Sequence, residues 1–364
     1  MPCAEITGWG KCLPPAVLKN QDLASIMETS DEWIMSRTGI AQRHISHVGT
    51  SELASVAAQK ALAAAGIKGS SLDMIFLATA SPDTLVPNIA STVQANIQAS
   101  CPALDINAAC SGFLYGLGLA TAQIQSGQYR RILVIGAERL SFYLNWTLRE
   151  SAVLFGDGAG AVVLECTEQN QPCGVLGYAL HNEPARREIL QVSGFGTNMD
   201  KLNPQAMAFF LQFEGREIFK QAIADMSKLG HKVLEENGLS TDEIDIIIPH
   251  QANIRIIDTL VNKLGIPKEK VFINIKNYGN TSAATIPIAL CDALEAGRIK
   301  PGDRLLSCAF GAGLTSAAAL IKWGQRISPI DHCDVSLPSC DKTALQLIEG
   351  AIARDKEIAA AAQR

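Results

Sequence analysis

A cysteine lies where an apolar helical pattern begins, in the stretch DINAACSGFLYGLG at residues 105–118. The N-terminus of a helix presents free backbone N–H groups and the positive end of the helix dipole, and both stabilise a thiolate. The thiolate is the form of cysteine that attacks an acyl group. We therefore expect Cys110 to have a lowered pKa and to act as the nucleophile of an acyl transfer. Most of the 10 cysteines in the chain are predicted to be buried apolar residues instead.

Two other polar residues could serve this nucleophile. His250 directly follows the apolar run DIIIP, and Asn280 lies in the segment NYGNTSAA. Taken singly, such a histidine is more often a core residue and such an asparagine more often a turn or helix cap. Together with Cys110 they would allow thioester formation followed by stabilisation of a developing enolate.

Two glycine-rich segments require separate interpretations. The segment FGAG at 310–313 follows a predicted strand, and its backbone could approach a substrate and offer an N–H group to an oxyanion. The alternative is that it forms only a tight turn. The segment GDGAGA at 156–161 leads into a strand and has no GK[ST], so we interpret it as structural rather than phosphate-binding.

Composition limits the possible classes of protein. The 364 residues are 48% hydrophobic and 18% charged, which indicates a large packed core and two domains or one duplicated fold. The net charge of −5 argues against nucleic-acid binding, so an anionic ligand would need local basic residues. We find no signal-peptide pattern, no transmembrane run, no CxxC and no zinc spacing. We therefore expect a reduced, cytoplasmic protein without a membrane span or a bound metal.

Apolar runs alternate with helical patterns along the chain, which predicts an α/β protein. The predicted strands are 73–80, 131–138, 159–165, 245–250, 304–310 and 316–323. The predicted helices are 51–67, 112–127, 213–238 and 254–265.

The order of these elements suggests a duplication. The segment at 70–83 resembles that at 242–253, and Gly127 and Gly297 follow Cys110 and Asn280 at the same spacing. We therefore predict that Cys110 and Asn280 occupy matching places, although chance similarity of α/β units is the alternative. The predicted units are an N-terminal half (1–170), a C-terminal half (171–325) and an extension (326–364) with a loop and an amphipathic helix.

The segments DINAACSGF, PHQANIR and NYGNTSAA resemble the three active-site signatures of the β-ketoacyl-acyl-carrier-protein synthase III family, in the thiolase superfamily. The segment TSDEWIMSRTGI at 29–40 resembles the same family's N-terminal block, and the similarity covers roughly 4–323. The resemblance implies a thiolase-like five-layer αβαβα fold of two duplicated halves, assembled as a homodimer. It also implies a decarboxylative Claisen condensation of an acyl-CoA primer with malonyl-acyl-carrier protein, which initiates fatty acid synthesis without a cofactor.

The same resemblance implies roles for individual residues. Cys110 would carry the acyl group, while His250 and Asn280 would bind the malonyl thioester and stabilise its enolate. The backbone N–H groups of Cys110 and Ala312 would form the oxyanion hole, with Ala312 standing where the family has glycine. The residues that would bind CoA are Trp33, Arg37, Arg149 and Arg255, and those that would dock the carrier protein are Lys220 and Arg255.

Two departures from the family qualify this interpretation. The chain continues for about 40 residues beyond the usual end, and Val86 replaces a phenylalanine that closes the partner's acyl pocket across the dimer. The smaller side chain predicts a primer longer than acetyl. Two alternatives stay open, a secondary-metabolism acyltransferase or ketosynthase with a different primer or acceptor, and an inactive scaffold. The presence of both His250 and Asn280 argues against them.

Overall fold

The computed structural model describes residues 2–168, 173–192 and 210–361. The elements of the first stretch are β1 (Cys3–Cys12), β2 (Ala16–Lys19), α1 (Asn20–Ala24), α2 (Asp31–Thr38), β3 (Gln42–Ile45), α3 (Thr50–Ala65), β4 (Met74–Ala78), α4 (Ile89–Asn96), β5 (Ala103–Ile106), α5 (Gly112–Gln125), β6 (Arg131–Arg139), α6 (Arg149–Ala152) and β7 (Asp157–Thr167).

The elements of the later stretches are β8 (Gly174–Asn182), β9 (Leu190–Val192), β10 (Leu211–Phe213), α7 (Gly215–Glu236), β11 (Ile246–Ile247), α8 (Ile254–Leu264), α9 (Ile275–Tyr278), α10 (Thr285–Glu295), β12 (Arg304–Gly311), β13 (Thr315–Lys322) and α11 (Ala344–Ala361). The predicted boundary at residue 170 lies outside the described residues.

Two central sheets form the core, and their strands follow the same order. The first has the order β1-β7-β6-β4-β5 and the second β11-β12-β13-β8. Strands β4, β6, β7 and β1 correspond to β11, β12, β13 and β8, and each set has one parallel pair followed by two antiparallel pairs. The first sheet has an additional strand, β5, which pairs parallel with β4. The runs predicted as strands are buried on both faces, which explains their continuous apolar character.

Helices cover and separate the two sheets. Helix α3 packs on β1, β6 and β7, α5 lies against strands of both sheets, and α7 packs on β12 and β13. Large apolar side chains of α5 and α10 share one core cluster with strands of both sheets. The resulting order of layers, αβαβα, confirms the predicted thiolase-like α/β fold.

Equivalent helix starts correct the predicted match between Cys110 and Asn280. Ala109 precedes α5 with a φ of 45°, and Ser282 precedes α10 with a φ of 51°. Both are left-handed conformations that are uncommon for residues other than glycine. Cys110 therefore matches Ala283, not Asn280. Counting back from Gly127 and Gly297 gives the wrong match, because α5 has 14 residues and α10 has only 11.

The two halves meet through main chain at one point of the central layer. A Cβ on Gly136 of β6 would lie 2.2 Å from the backbone oxygen of Ala283. Only glycine allows this approach, because real Cβ atoms essentially never come that close. The contact brings the start of α10 against the first sheet, close to the start of α5.

The extension runs back over the N-terminal half. The Arg326 guanidinium donates to the backbone oxygen of Thr7 at 2.8 Å, and the Ile330 N–H donates to that of Ala64 at 3.0 Å. Helix α11 then packs against β2 and β3. No helix within the described stretches is both long and apolar enough to cross a membrane.

Candidate active site

Cys110 lies in the short turn that leads into α5. The turn is fixed from outside, because the Thr315 hydroxyl donates to the backbone oxygen of Ala108 at 2.8 Å. The Ser111 hydroxyl donates to the backbone oxygen of Thr315 at 3.2 Å. Strand β13 of the second sheet therefore holds the turn around Cys110 in place.

The pKa of Cys110 differs from the expectation at a helix N-terminus. Burial at the floor of a cavity raises it to about 12, and the negative charge of Glu138 adds to this rise. The Ser282 hydroxyl, which contacts the thiol, acts in the opposite direction. The prediction of a lowered pKa is wrong because the loss of solvent outweighs the favourable end of the helix dipole. The raised pKa keeps Cys110 a thiol near neutral pH.

His250 is positioned at the end of β11 and has a defined tautomer. Its backbone N–H donates to the oxygen of Cys308 in β12 at 2.8 Å, and its Nδ1 lies 2.7 Å from the Thr285 hydroxyl. That hydroxyl donates to the backbone oxygen of Ser282, so it accepts a proton from Nδ1. Burial lowers the pKa of His250 to about 3. The imidazole is therefore neutral, and Nε2 is its proton-accepting atom.

Asn280 is held through both its main chain and its side chain. Its N–H donates to the backbone oxygen of Leu154 at 2.8 Å, and its own backbone oxygen accepts from Gly156 at 3.0 Å. Its Oδ1 accepts from the Ser282 N–H at 2.8 Å. The side-chain oxygen is thereby occupied, and the Nδ2 group is the end that can donate to a ligand.

The hairpin between β12 and β13 brings a glycine against the nucleophile. A Cβ on Gly311 would lie 2.6 Å from the backbone nitrogen of Cys110. The next residue, Ala312, lines the same cavity as Cys110. The close approach of the two segments brings the main chain of Cys110 and of Ala312 to one cavity.

A buried carboxyl group lies behind the nucleophile. Glu138, at the end of β6, is fully buried, and burial raises its pKa to about 7. The Ser282 hydroxyl donates to its Oε1 at 2.9 Å and so lies between Glu138 and Cys110. The other donors to this carboxyl group are the Thr79 hydroxyl, the Ala80 N–H and the Ser81 hydroxyl. A buried carboxylate requires such a set of donors.

Cys110, His250 and Asn280 line one cavity of about 660 Å³. The predicted site residues that line it are Trp33, Arg37, Cys110, Arg149, His250, Asn280 and Ala312. Apolar side chains from the hairpin β9–β10 and from α7 line another part of it. The cavity can therefore accept a long, largely apolar group beside the cysteine.

An aromatic ring and two cations stand together in this cavity. Ser30 caps α2 by accepting from the Trp33 N–H at 3.1 Å, which fixes the start of the helix. The guanidinium carbons of Arg149 and Arg37 lie 4.4 and 4.9 Å from the centroid of the Trp33 ring. This arrangement combines a stacking surface with positive charge.

Three predicted site residues are not among those lining the cavity. Arg255 is exposed at the start of α8 and donates to the backbone oxygen of Ser36. Lys220 is exposed on α7 and lies 3.2 Å from Glu217. Val86 is 88% exposed, whereas the preceding Leu85 reaches the cavity.

Three polar residues of the site were missed at the sequence level. Glu138 follows six apolar or small residues near the end of its strand, and a carboxyl group directly after this run was the available signal. Ser282 stands in the quoted segment NYGNTSAA and Thr285 directly follows that segment, but their hydroxyl groups gain meaning only from the contacts with Glu138 and His250.

The comparison with known proteins places this geometry in a family. Two family models match, "3-Oxoacyl-[acyl-carrier-protein (ACP)] synthase III" over residues 104–184 and its C-terminal counterpart over residues 234–323. A crystal structure of 3-oxoacyl-[acyl-carrier-protein] synthase III from Aquifex aeolicus has a TM-score of 0.82 and 43% identity. The match covers 88% of this chain and 100% of the Aquifex aeolicus chain.

Full-length relatives extend the match. Beta-ketoacyl-[acyl-carrier-protein] synthase III 2 of Vibrio cholerae is 59% identical over 96% of both chains, so it shares most of the extension. Beta-ketoacyl-[acyl-carrier-protein] synthase III of Roseiflexus castenholzii is 44% identical over 88% of this chain and 98% of its own. The chain belongs to the 3-oxoacyl-[acyl-carrier-protein] synthase III family of acyltransferases.

Proposed function

We propose that this protein joins an acyl-CoA primer to malonyl-acyl-carrier protein by decarboxylative Claisen condensation, through an acyl-Cys110 intermediate, and so initiates fatty acid synthesis. The observation that carries the proposal is the shared cavity, in which a cysteine, a neutral histidine and an asparagine amide meet beside two main-chain donors.

The first half-reaction transfers the acyl group to Cys110. The sulfur attacks the thioester carbonyl, its proton passes to Nε2 of His250, and the oxygen is stabilised by the N–H groups of Cys110 and Ala312. The new C–S bond to Cys110 forms as the C–S bond to CoA breaks. The leaving sulfur takes the proton back from His250, and CoA departs as a thiol.

The second half-reaction uses the same cavity for malonyl-carrier protein. The bond to the carboxylate breaks, CO2 leaves, and the electron pair forms an enolate on the thioester oxygen. Nδ2 of Asn280 donates to that oxygen. The negative charge of the enolate favours uptake of a proton from solvent by Nε2 of His250, which then donates as well. The enolate carbon attacks the acyl-Cys110 carbonyl, the C–S bond to Cys110 breaks, and the released thiolate takes the proton from His250.

The cavity entrance supports recognition of CoA. The flat Trp33 ring offers a stacking surface to the adenine, and the guanidinium groups of Arg37 and Arg149 offer charge to its phosphates. Arg255 and Lys220 lie outside the cavity, which suits contact with a carrier protein rather than with the reacting group. The charge of Lys220 is partly offset by Glu217, which also pairs with Arg186 at 2.6 Å.

The assembly and the primer complete the proposal. Val86 is exposed on its own chain. A residue that enters the partner's site in a homodimer must be exposed in this way. Its small side chain and the apolar lining of the cavity favour primers longer than acetyl.

Intact-mass spectrometry tests the proposal directly. The protein is incubated with acetyl-, butyryl-, hexanoyl- and octanoyl-CoA, and malonyl-carrier protein is then added. We expect one acyl adduct per chain that disappears as 3-oxoacyl-carrier protein forms. The adduct should be lost in Cys110→Ala and kept in Cys101→Ala, a matched change of a buried cysteine elsewhere. An adduct that persists in Cys110→Ala, or none with any primer, contradicts the proposal.

A further inference from the structure

Helix α11 of the extension packs on the part of the fold that carries Arg149. Ala344 and Ile348 of α11 are 3% and 4% exposed. With neighbouring apolar residues of α11 they share a core cluster with Leu144, Trp146 and Trp33. The helix therefore packs behind the wall of the cavity where the indole and its two cations stand.

A buried charge ties α11 to this wall. Asp355 has no exposed surface, and its Oδ2 accepts from the backbone N–H of Trp146 at 2.8 Å. Its Oδ1 pairs with the Arg354 guanidinium at 2.9 Å, and Arg354 also lies over the Phe210 ring. A buried carboxylate is costly unless it is hydrogen-bonded, so the contact requires a defined position of the Trp146 backbone.

A short rigid turn connects this contact to the cavity. The Asn145 side chain accepts from the Thr147 N–H at 2.9 Å, and its backbone oxygen accepts from the Leu148 N–H at 3.0 Å. Arg149 follows, contacts Trp33 and donates to the backbone oxygen of Glu28 at 3.0 Å. Displacement of the Trp146 backbone would therefore displace the Arg149 guanidinium.

We propose that Asp355 is a positioning residue for acyl-CoA, which holds the turn at residues 145–148 so that Arg149 stays over Trp33. The inference rests on the proposed function, because it takes the nucleotide part of CoA as the ligand at Trp33. The extension thus contributes no group to the reaction but sets the affinity of the first substrate.

The test separates the two substrates of the intact protein. Asp355→Ala should raise KM for acyl-CoA about tenfold, because a displaced Arg149 guanidinium loses about one charge-assisted contact with the ligand. The kcat value and KM for malonyl-carrier protein should stay within about twofold, since Cys110 and His250 do not contact the turn. Glu357→Ala removes an exposed acidic residue of the same helix and serves as the matched control.

The possible outcomes are distinct. Equal rises of KM for both substrates, or no change for acyl-CoA, would overturn the positioning role. If Asp355→Ala does not fold, Asp355→Asn decides the matter, because it keeps the shape and loses the charge. We expect about a threefold rise in KM for acyl-CoA, and an unchanged value overturns the inference. Failure of the wild-type protein to bind acyl-CoA in calorimetry would instead reject the proposed function.

Discussion

Gly311→Ala should disturb the geometry of the proposed oxyanion hole while it leaves Cys110, His250 and Asn280 unchanged. The added Cβ would lie 2.6 Å from the backbone nitrogen of Cys110, and 3.1 Å from both the Ser111 nitrogen and the Thr315 hydroxyl. Ordinary contacts begin at 3.4 Å. The end of β12 or the Cys110 turn must therefore move by most of an ångström.

This displacement has a predictable size of effect. A misplacement of about 1 Å in a reacting group can lower a rate about 10²-fold, and loss of one oxyanion donor lowers it about 10²–10³-fold. We expect the acylation rate of Gly311→Ala to fall about 10²-fold. Overpacking should also lower the free energy of unfolding by about 1–3 kcal/mol.

Quenched time courses of Cys110 acylation, read by intact mass, measure the rate, and thermal unfolding shows whether the variant is folded. Gly350→Ala is the matched control, because it adds the same methyl group where nothing lies within 4 Å. A folded Gly311→Ala protein that acylates at the wild-type rate would refute the placement of the oxyanion hole.

Four further variants test other parts of the site. Asn280→Ala should still form the acyl adduct but condense about 10²–10³-fold more slowly, measured as 3-oxoacyl-carrier protein. His250→Ala should slow both formation of the adduct and condensation, because it removes the group that takes the Cys110 proton and a donor to the enolate, and normal condensation in either variant would contradict these roles. Glu138→Gln removes a negative charge that raises the pKa of Cys110, so the thiolate should form, and iodoacetamide should react, at a lower pH than in the wild type. An unshifted pH profile would show that the charge does not reach the thiol. Val86→Phe should shift kcat/KM toward acetyl-CoA, and an unchanged primer profile would exclude Val86 as the determinant.

Continuous apolar runs separated by helical patterns were sufficient to predict an α/β protein, whereas the five layers were implied by the resemblance to a known family. The sequence also singled out Cys110, His250 and Asn280, each in a motif that resembles known signatures, and the structure brings all three to one cavity. Of the strands in the two central sheets, β1, β5 and β8 were not predicted. Each is paired at a sheet edge with a strand that was predicted, and pairing is not visible in a single segment.

The pKa of Cys110 could not be predicted, because it depends on how much solvent the folded chain excludes. The local sequence indicates the N-terminus of a helix. It does not indicate that Glu138 lies behind the Cys110 thiol or that Ser282 lies between them. The match of Cys110 with Asn280 failed for a related reason. Counting residues assumes equal helices, and the length of α10 is set by packing between the sheets.

The close approach of Gly136 to Ala283 bears on how such proteins can recombine. A main-chain oxygen against a glycine makes a contact whose shape does not depend on the side chain at position 283. The duplicated halves can therefore diverge in sequence at this point while their docking surface stays the same. Chimeras that take one half from this chain and the other from a family member should keep this contact wherever position 136 is glycine. Alanine at position 136 should prevent the two halves from packing together.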